Sequence, residues 1–519
     1  MQTRTYTALA SLPALVILGF AQSCTTNEGD TVYNNYGGAG TAGPPGAPGQ
    51  NGKDGQDGKD GKDGKDGEDG TASNGTGGSA ELPEEYPAHR PDCDVVPFAD
   101  LDIDLWGADG HLFYFEVTPE MRVADDQHFC DYGGGNGGPV YVLGGGGKDL
   151  CPPAATNVRV VPAGGTECAD TGVVELDLPG QSSWRPWAEI PNFKLDVGEF
   201  QDQKFSTDDK TLRMNNGQAD STIVREATAL AVWNAMGYPA PRTRFVQTQS
   251  NVWDYDFELG ASAAHNMVQP YKKPFFKGYM GDVYGDIPKV TSAWEGEGNP
   301  FEGGWLNLEC EWSDDDDCEQ TAFDEIVDTV INAPFGPGFM AATADVVDWP
   351  MIHQNQCLSA LTGTGDDWIH NNNNVVIALR EDGKIMYLPY STDISGDHPW
   401  YQNTPYDGNS YYGSTLADRC KQDPDCRTLA LDTCDAMIDT YETLDVVETI
   451  VKERCGALSD AGLERPADGD VCDSLEGFYG SRADELRDEL DWLREQDNGY
   501  GGMGGTGATG GTGGTGGMP

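Results

Sequence analysis

Hydrophobic residues change their spacing along this chain, from short runs typical of strands to the longer period of helices. Apolar runs at residues 112–117, 140–143, 158–161 and 173–178 are separated by glycine and proline, which predicts β-strands. Residues 221–236 have helical spacing, with Ser221 as the predicted N-cap and Gly237 at the end. Residues 427–451 and 481–495 also predict amphipathic helices. Strands first and helices later indicate an α+β domain of two lobes, β-rich and then helical.

Both ends of the chain have a composition that cannot form a packed core. From residue 37 to 70 glycine recurs at every third position, the pattern of a collagen triple helix, in which only glycine fits near the axis. The segment is interpreted either as a trimerising stalk or as an unassociated charged spacer. Residues 71–91 form a polar linker, and the Gly/Thr repeats of residues 499–519 predict a disordered tail. The predicted folded domain is therefore residues 92–498.

The first residues have the features of an export signal. Arg4 precedes an apolar run at residues 8–21, which is the length of a signal-peptide core and short for a bilayer span. We predict a signal peptide at residues 1–23 and a lipid on Cys24, because AQSC resembles the lipobox of bacterial lipoproteins. Gln22 departs from that signal, so cleavage without lipidation is the alternative. Residues 24–91 would then be a lipid-anchored stalk and linker at the bacterial outer membrane or cell surface.

Charge and cysteine content agree with an exported protein. The chain has 86 acidic and 32 basic residues, a formal net charge of -54, so its field repels nucleic acid and attracts divalent cations. A nucleic-acid partner is therefore excluded. If Cys24 carries a lipid, twelve of the thirteen cysteines remain, an even number that suits disulfide pairing in an oxidising compartment.

Several blocks of sequence, in preserved order, resemble the CotH family. The segment KTLRMNNGQADSTIVRE at 210–226 and WNAMGYPAPR at 233–242 are similar to its "L-x-N-N, D-x-S, x-x-R-E … G-x-P-A-P" block. GQSS at 180–183 and IPNFK at 190–194 resemble its "G-x-S-S … K-P-S-F-K" strands. GDDWIHN and YLPYSTDISG, at 365–371 and 387–396, resemble its "D-x-Y-x-x-N … I-P-W-D-x-D-x-x-F-G" core. The resemblance spans about residues 105 to 460 and implies a two-lobed atypical kinase-like fold.

The resemblance implies transfer of phosphate from ATP or another nucleotide, with Mg²⁺ or Mn²⁺, to a secreted or surface protein. Such a reaction needs a carboxylate to orient the acceptor hydroxyl and oxygen ligands to hold the metal. Asp366 and Asn371 have the spacing of Asp and Asn in the kinase catalytic loop. We predict that Asp366 is the base and Asn371 a metal ligand. Asp367 is the alternative base, since Asp367 and Asn372 have the same spacing.

A predicted hairpin brings a second metal ligand to the same place. Residues 375–379 and 384–388 have the pattern of two paired strands with a turn at 381–383. The hairpin ends just before Asp393. Asp393 begins the segment DISG, which matches the metal-binding Asp and the following glycine of kinases. We therefore predict Asp393 as a metal ligand.

The sequence indicates less clearly which basic side chain would bind the nucleotide phosphates. Lys194 on a predicted strand and Glu226 on the following helix match the strand lysine and helix glutamate of kinases. Lys277 and Lys289 are alternatives, because FFKGYMGDVY at 275–284 also resembles a CotH segment. Glycine-rich segments at 133–138 and 144–147 are interpreted as surface loops rather than phosphate-binding loops.

Two departures from the family pattern favour an alternative function. Gln269 stands where the family has a glutamate, and Ser391 replaces one of two acidic residues. A metal site with one carboxylate fewer binds its ion more weakly. The alternative is a non-catalytic surface scaffold or adhesin built on a CotH-like pseudokinase domain.

Other clusters have simpler interpretations. The acidic run at 314–317, between Cys310 and Cys318, indicates a solvated loop closed by a disulfide rather than a calcium site. His353, His370 and His398 are predicted to be structural or solvent-facing. Without a Gly-x-Ser-x-Gly motif, serine hydrolase chemistry is excluded.

Overall fold

A computed structural model describes much of the predicted folded domain and the beginning of the tail. The predicted signal peptide, Cys24 and the stalk lie outside the described residues. The described ranges are 90–116, 154–177, 179, 190–217, 222–251, 262–280, 287–290, 308–312, 320–365, 375–380, 382–393, 395–396, 415–465 and 468–501.

The first half of the domain forms an eight-stranded sheet, in which seven strands form a closed ring and β1 is added beside β4. Its strand order is β1-β4-β3-β2-β7-β8-β6-β5, and β4 also pairs with β5. Neighbouring strands are antiparallel except for the parallel pairs β1–β4 and β2–β7. The strands are β1 (Asp94–Val96), β2 (His111–Glu116), β3 (Ala154–Val161), β4 (Glu167–Asp177), β5 (Phe193–Asp196), β6 (Thr211–Asn215), β7 (Thr243–Ser250) and β8 (Ser262–Val268).

Alternation along these strands separates the interior of the closed sheet from its outer surface. Side chains of Phe193, Leu195, Leu212, Met214 and Met267 are fully buried in one apolar cluster. Because successive side chains of a strand point to opposite faces, the residues between them face outward. Polar side chains on β5, β6 and β8 therefore lie on the outer face of the sheet.

Helices and a smaller sheet form the rest of the domain. The small sheet has the order β10-β9-β11-β12, with every pair antiparallel, and consists of β9 (Ile287–Val290), β10 (Leu308–Trp312), β11 (Val375–Leu379) and β12 (Ile385–Pro389). The helices are α1 (Val224–Ala235), α2 (Lys273–Met280), α3 (Gln320–Asn332), α4 (Phe339–Thr343), α5 (Trp349–Thr362), α6 (Thr415–Gln422), α7 (Pro424–Leu444), α8 (Lys452–Asp460) and α9 (Asp468–Gly501).

Helix α1 connects the first sheet to the helices that follow. Its Trp233 is buried and donates from Nε1 to Thr362 Oγ1 of α5 at 3.2 Å. The same apolar cluster contains side chains of α7, α8, α9, β11 and β12, among them Tyr441 and Leu486. A buried indole with a hydrogen-bonded nitrogen both removes a large apolar area from water and fixes orientation. Helix α1 is therefore held rigidly between the two halves.

The structure confirms most predicted elements and corrects the boundaries of three helices. One is α9, which begins at Asp468 and not at residue 481 as predicted. Strands β2, β3 and β4, the hairpin β11–β12 and the helices at α1, α7 and α9 lie where the pattern predicts them, whereas residues 140–143 lie outside the described residues. The predicted Ser221 cap is wrong, because α1 begins at Val224 with Ile223 as its N-cap. The helix predicted over 427–451 is also wrong at its end: Asp445 has φ 49°, and a π-helix follows at Val447–Val451.

Four disulfides lie within the described residues: Cys93–Cys168, Cys357–Cys434, Cys420–Cys426 and Cys455–Cys472. They agree with the disulfide pairing that the cysteine content predicts. Among the residues that the structure describes, no helix combines the length and apolar composition needed to span a bilayer.

His265 is buried without charge inside the first sheet. It is fully excluded from solvent, its Nε2 donates to the Pro191 carbonyl at 2.7 Å, and its Nδ1 lies 2.9 Å from Thr248 Oγ1. Burial lowers the pKa of His265 from 6.5 to about 3, because a charged imidazole would lose its hydration. The unfolded chain binds a proton at this residue at a higher pH than the folded chain does.

The disulfides give a first prediction. Replacing Cys357 and Cys434 by alanine opens a loop with a sequence separation of 77, whereas the Cys420–Cys426 pair closes one of 6. Loop entropy predicts that the first change lowers the free energy of unfolding by about 4 kcal/mol and the second by about 2 kcal/mol. Urea unfolding measures both. Equal losses, or the reverse order, would contradict this account.

His265 gives a second prediction. Stability conferred by the neutral imidazole is complete above about pH 6.5 and is lost as the pH falls towards 3. Between pH 6 and pH 4 we expect the free energy of unfolding to fall by about 2 kcal/mol more in the natural protein than in His265→Gln. Gln keeps a donor for the Pro191 carbonyl but does not titrate. Parallel pH profiles for the two proteins would exclude His265 as the cause.

Candidate functional site

A buried carboxylate on α1 lies at the centre of the site. Glu226 is 3% exposed, and its Oε2 accepts hydrogen bonds from Asn215 Nδ2 and Asn266 Nδ2, each at 2.8 Å. Asn215 Nδ2 also lies 3.1 Å from Glu226 Oε1. These two asparagines are directly opposite each other on β6 and β8. The outer face of the first sheet thus supplies the donors that a buried carboxylate requires.

Two basic residues lie on the same outer face as Asn215. Lys194 of β5 is paired in register with Arg213 of β6, two residues before Asn215. Arg213 stacks over the ring of Tyr390, with 4.8 Å between the guanidinium carbon and the ring centroid, and donates from Nη1 to the Tyr390 hydroxyl. Arg213 therefore connects the sheet to the segment that follows β12.

That segment carries Asp393, the predicted metal ligand. Ser391 has a left-handed φ of 53°, and its hydroxyl donates to Asp393 Oδ1 at 3.0 Å. Asp393 and Glu226 line one cavity of about 50 Å³. Eight of its ten described lining residues have polar side chains: the lining consists of Asn192, Asn215, Asn216, Gly217, Thr222, Ile223, Glu226, Asn266, Ser391 and Asp393. The structure thus brings together two of the predicted residues from distant parts of the chain.

The predicted base and the second predicted metal ligand, Asp366 and Asn371, lie outside the described residues, as does Asp367. The described chain on both sides of them contacts the Asp393 segment. Gly396 donates from its backbone nitrogen to the Thr362 carbonyl at 2.7 Å. On the other side, Val375 pairs in register with Pro389. The described residues on either side of Asp366 and Asn371 therefore lie beside the residues that flank Asp393.

The alternative lysines lie elsewhere. Lys289 is on β9 in the small sheet, where it pairs in register with Val376 and Glu309. Lys277 is exposed on α2. Of the three candidate lysines, Lys194 is the one on a strand that pairs with β6, the strand that carries Asn215.

The two departures from the CotH pattern have different positions. Gln269 is buried, and its Oε1 accepts a hydrogen bond from Arg242 Nε at 3.2 Å. It is not among the described residues that line the cavity, whereas Ser391 is. Only the change at Ser391 therefore removes a carboxylate from the cavity.

The described lining suits a hard divalent cation. Carboxylate and amide oxygens are the ligands that Mg²⁺ and Mn²⁺ prefer, and the cavity offers both. The Asn266 Oδ1 atom is buried and has no hydrogen-bond partner within the structure as described. An acceptor in that position needs a donor or a cation.

Sequence reasoning missed Arg213, Asn215 and Asn266. All three fall within motifs that carry the family resemblance or beside them, but no role follows from their positions in sequence. Alternation along the predicted strand at 211–215 places Arg213 and Asn215 on one side, and this was the available signal. The contact with Glu226 depends on the pairing of β6 with β8, which the sequence pattern does not specify.

His353 and the cysteines near it have a structural arrangement. His353 is buried, stacks against Trp349, and has Nε2 3.6 Å from the Cys426 sulfur. Cys426 is already bonded to Cys420. Burial lowers the pKa of His353 to about 4, so the imidazole is neutral near pH 7. His370 and His398 lie outside the described residues.

The pair Asn215–Glu226 gives a third prediction. Asn215→Leu removes a donor to a buried carboxylate and should lower the free energy of unfolding by about 2 kcal/mol. In a Glu226→Gln background the same change should cost about 1 kcal/mol, because the remaining acceptor is neutral. Asn332→Leu, on an exposed part of α3, is the control and should cost little. Equal costs of Asn215→Leu in both backgrounds would disprove the interaction.

No protein-family model matches the chain, and no curated protein matches it. Among solved structures, it resembles a chain of the toxin–antitoxin complex of HipA, HipB and operator DNA from Shewanella oneidensis MR-1. That match has 10% identity and a TM-score of 0.25, and it covers 55% of this chain and 60% of that one. It also resembles the proinflammatory kinase CtkA of Helicobacter pylori, with 11% identity, a TM-score of 0.27, and coverage of 62% and 97%. TM-scores of this size do not establish a common fold.

Proposed function

We propose that this protein is an atypical kinase of the CotH type, which transfers phosphate from ATP or another nucleotide to a secreted or surface protein. The observation that carries the proposal is the meeting of Glu226 and Asp393 in one polar cavity. Phosphoryl transfer depends on positioning and on electrostatic stabilisation, so convergence of charged groups from separate elements is the feature it requires.

Each residue has a distinct role in this proposal. Asp393 and Asn371 would hold Mg²⁺ or Mn²⁺, which neutralises charge on the nucleotide phosphates when bound. Lys194 would attract the phosphates. Glu226 would orient the basic side chain that contacts them, as the helix glutamate of kinases does for the strand lysine. Asp366 would accept a hydrogen bond from the acceptor hydroxyl and take its proton. The contacts of Thr362 and Val375 with the Asp393 segment support a position for Asp366 and Asn371 near Asp393.

Arg213 adds a second positive charge that the sequence did not indicate. Its backbone is paired with Lys194, and its guanidinium is held over Tyr390, three residues before Asp393. A guanidinium keeps its charge at all relevant pH values and can contact phosphate oxygens in a fixed geometry. We propose that Lys194 and Arg213 together make this face of the sheet attractive to phosphate in an otherwise strongly acidic protein.

The proposed location is the bacterial outer membrane or cell surface. A lipid on Cys24 would anchor the protein, and residues 24–91 would hold the kinase-like domain away from the membrane. If the collagen-like stalk associates, the protein would be a homotrimer. The proposed partners are a secreted or surface protein as substrate and the membrane through the lipid.

A non-catalytic scaffold is the second candidate function, and one observation favours it. Ser391 occupies the cavity at the position where the CotH pattern has an acid. Its hydroxyl contacts Asp393 rather than adding a negative charge. A pseudokinase domain displayed on a stalk would keep this fold without the need to bind a nucleotide.

A phosphotransfer assay distinguishes the two and is our fourth prediction. Purified protein with labelled ATP and Mn²⁺ or Mg²⁺ should label itself or an added exported protein. Asp366→Ala and Asp393→Ala should each reduce the rate at least a hundredfold, because they remove the base and a metal ligand. Asp202→Asn, at an almost fully exposed carboxylate, controls for net charge and should keep the natural rate.

Two results would overturn the proposal. One is an Asp366→Ala protein that is as active as the natural one. The other is no transfer from ATP, GTP, CTP or UTP together with no nucleotide-dependent rise in melting temperature, which is the result the scaffold predicts.

A further inference from the structure

Helix α9 packs against backbone that leads to the proposed base and to the proposed metal ligand. Leu475, Phe478 and Arg482 are three and four residues apart, so they lie on one face of the helix. This face contacts the end of α5, which precedes the proposed base, and Gly396, which follows the proposed metal ligand. One face of α9 therefore supports both parts of the chain.

Two glycines allow these parts of the chain to touch. Gly363 ends α5 with φ 63°, and Gly396 has φ 68°, a left-handed conformation that favours glycine. The Gly396 nitrogen donates to the Thr362 carbonyl at 2.7 Å. A Cβ atom on Gly363 would lie only 2.5 Å from the Gly396 carbonyl oxygen. The end of α5 and the Asp393 segment therefore meet backbone to backbone, with no room for a side chain.

Apolar side chains of α9 pack directly on both glycines. A Cβ atom on Gly363 would also lie 2.7 Å from Phe478 Cζ. One on Gly396 would lie 2.6 Å from Leu475 Cδ2. Because protein interiors are close-packed, a change in this face of α9 shifts the backbone that it contacts.

Arg482 holds the last turn of α5. It is 8% exposed, and its Nε donates to the Ala360 carbonyl at 2.8 Å. The last carbonyls of a helix lack partners within the helix, and a cation there also interacts favourably with the helix dipole. The guanidinium carbon lies 5.6 Å from the centroid of the Phe478 ring. Arg482 and Phe478 thus act together at the point where the chain leaves α5.

We propose that Phe478 and Arg482 are positioning residues for Asp366, because they hold the end of α5 against the Asp393 segment. The inference rests on the proposed function and adds residues to it. Neither side chain is among the described residues that line the cavity, so each would act through the backbone of α5. A misplacement of about 1 Å at a reacting group can reduce the rate about a hundredfold.

Arg482→Gln tests the inference and is our fifth prediction. We expect kcat to fall by about tenfold or more, because the proposed base is misplaced. The KM for ATP should stay within about twofold, because the phosphates bind on the face of the first sheet. Arg487→Gln is the control: it removes the same charge from the same helix, but its described partners are Asp439 and Glu442 of α7. It should keep both constants. Melting temperatures show that each variant is folded under the assay conditions.

A pair of glycine variants separates contact from backbone strain. Gly363→Ala places a Cβ against Gly396, whereas Gly462→Ala, just after α8, has the same left-handed conformation with nothing within 4 Å of the added atom. Both variants should lose stability, because alanine is strained at positive φ. Only Gly363→Ala should lose kcat. Equal kcat values for the two would contradict the positioning role.

Hydrogen exchange gives a readout that does not depend on activity. In Arg482→Gln the Gly396 amide, which donates to the Thr362 carbonyl, should exchange faster than in the natural protein. Amides of β3 should change only as far as global stability changes. Equal acceleration at both places would show a loss of stability alone and would contradict the inference.

The outcomes separate this inference from the proposed function. If the natural protein transfers phosphate and Arg482→Gln and Gly363→Ala keep its kcat, the positioning role is disproved and the kinase stands. If the natural protein transfers no phosphate from any nucleotide, the proposed function is disproved, and the role of α9 in transfer is disproved with it.

Discussion

The Glu226 carboxylate, taken out of water by α1 and held by two asparagine amides, is the interaction on which the rest of the site depends. Burying a charge is costly unless hydrogen bonds compensate for lost hydration. Among the described contacts, hydrogen bonds from Asn215 and Asn266, which lie opposite each other on neighbouring strands, provide this compensation. The carboxylate therefore fixes α1 against the sheet and fixes the orientation of both amides, and Asn266 Oδ1 is buried with no hydrogen-bond partner among the described residues.

A second set of contacts places the Asp393 segment against this centre. Phenol groups from the first half of the domain bind the backbone of β12: Tyr238 donates to the Tyr387 carbonyl and Tyr271 to the Pro389 carbonyl. Asn355 of α5 donates to the same Tyr387 carbonyl at 3.2 Å. The backbone of β12 is therefore held by hydrogen bonds to the Tyr387 and Pro389 carbonyls, just before the segment that carries Asp393. These contacts fix the point at which the segment that carries Asp393 leaves β12.

The sequence predicted those features that depend on local pattern. The strands, the helix carrying Glu226 and the hairpin before Asp393 follow from alternation and helical spacing, and the structure confirms them. Contacts that depend on the pairing of distant strands did not follow. The pairing of β6 with β8 places Asn215 and Asn266 opposite each other. The sequences of these strands do not specify this pairing, just as those of β2 and β7 do not specify their parallel pairing. The same limitation hid the position of Gln269, which lies away from the described cavity lining although its place in the family pattern suggested a lost ligand.

A crystal structure of the protein with Mn²⁺ and a non-hydrolysable ATP analogue measures the central claim directly, because anomalous scattering locates the manganese. The account predicts manganese within about 2.3 Å of an Asp393 oxygen, the triphosphate between the metal and the face that carries Lys194 and Arg213, and Asp366 on the open side of the phosphates. Manganese bound away from Asp393, or Asp366 and Asp393 on separate surfaces, would contradict it.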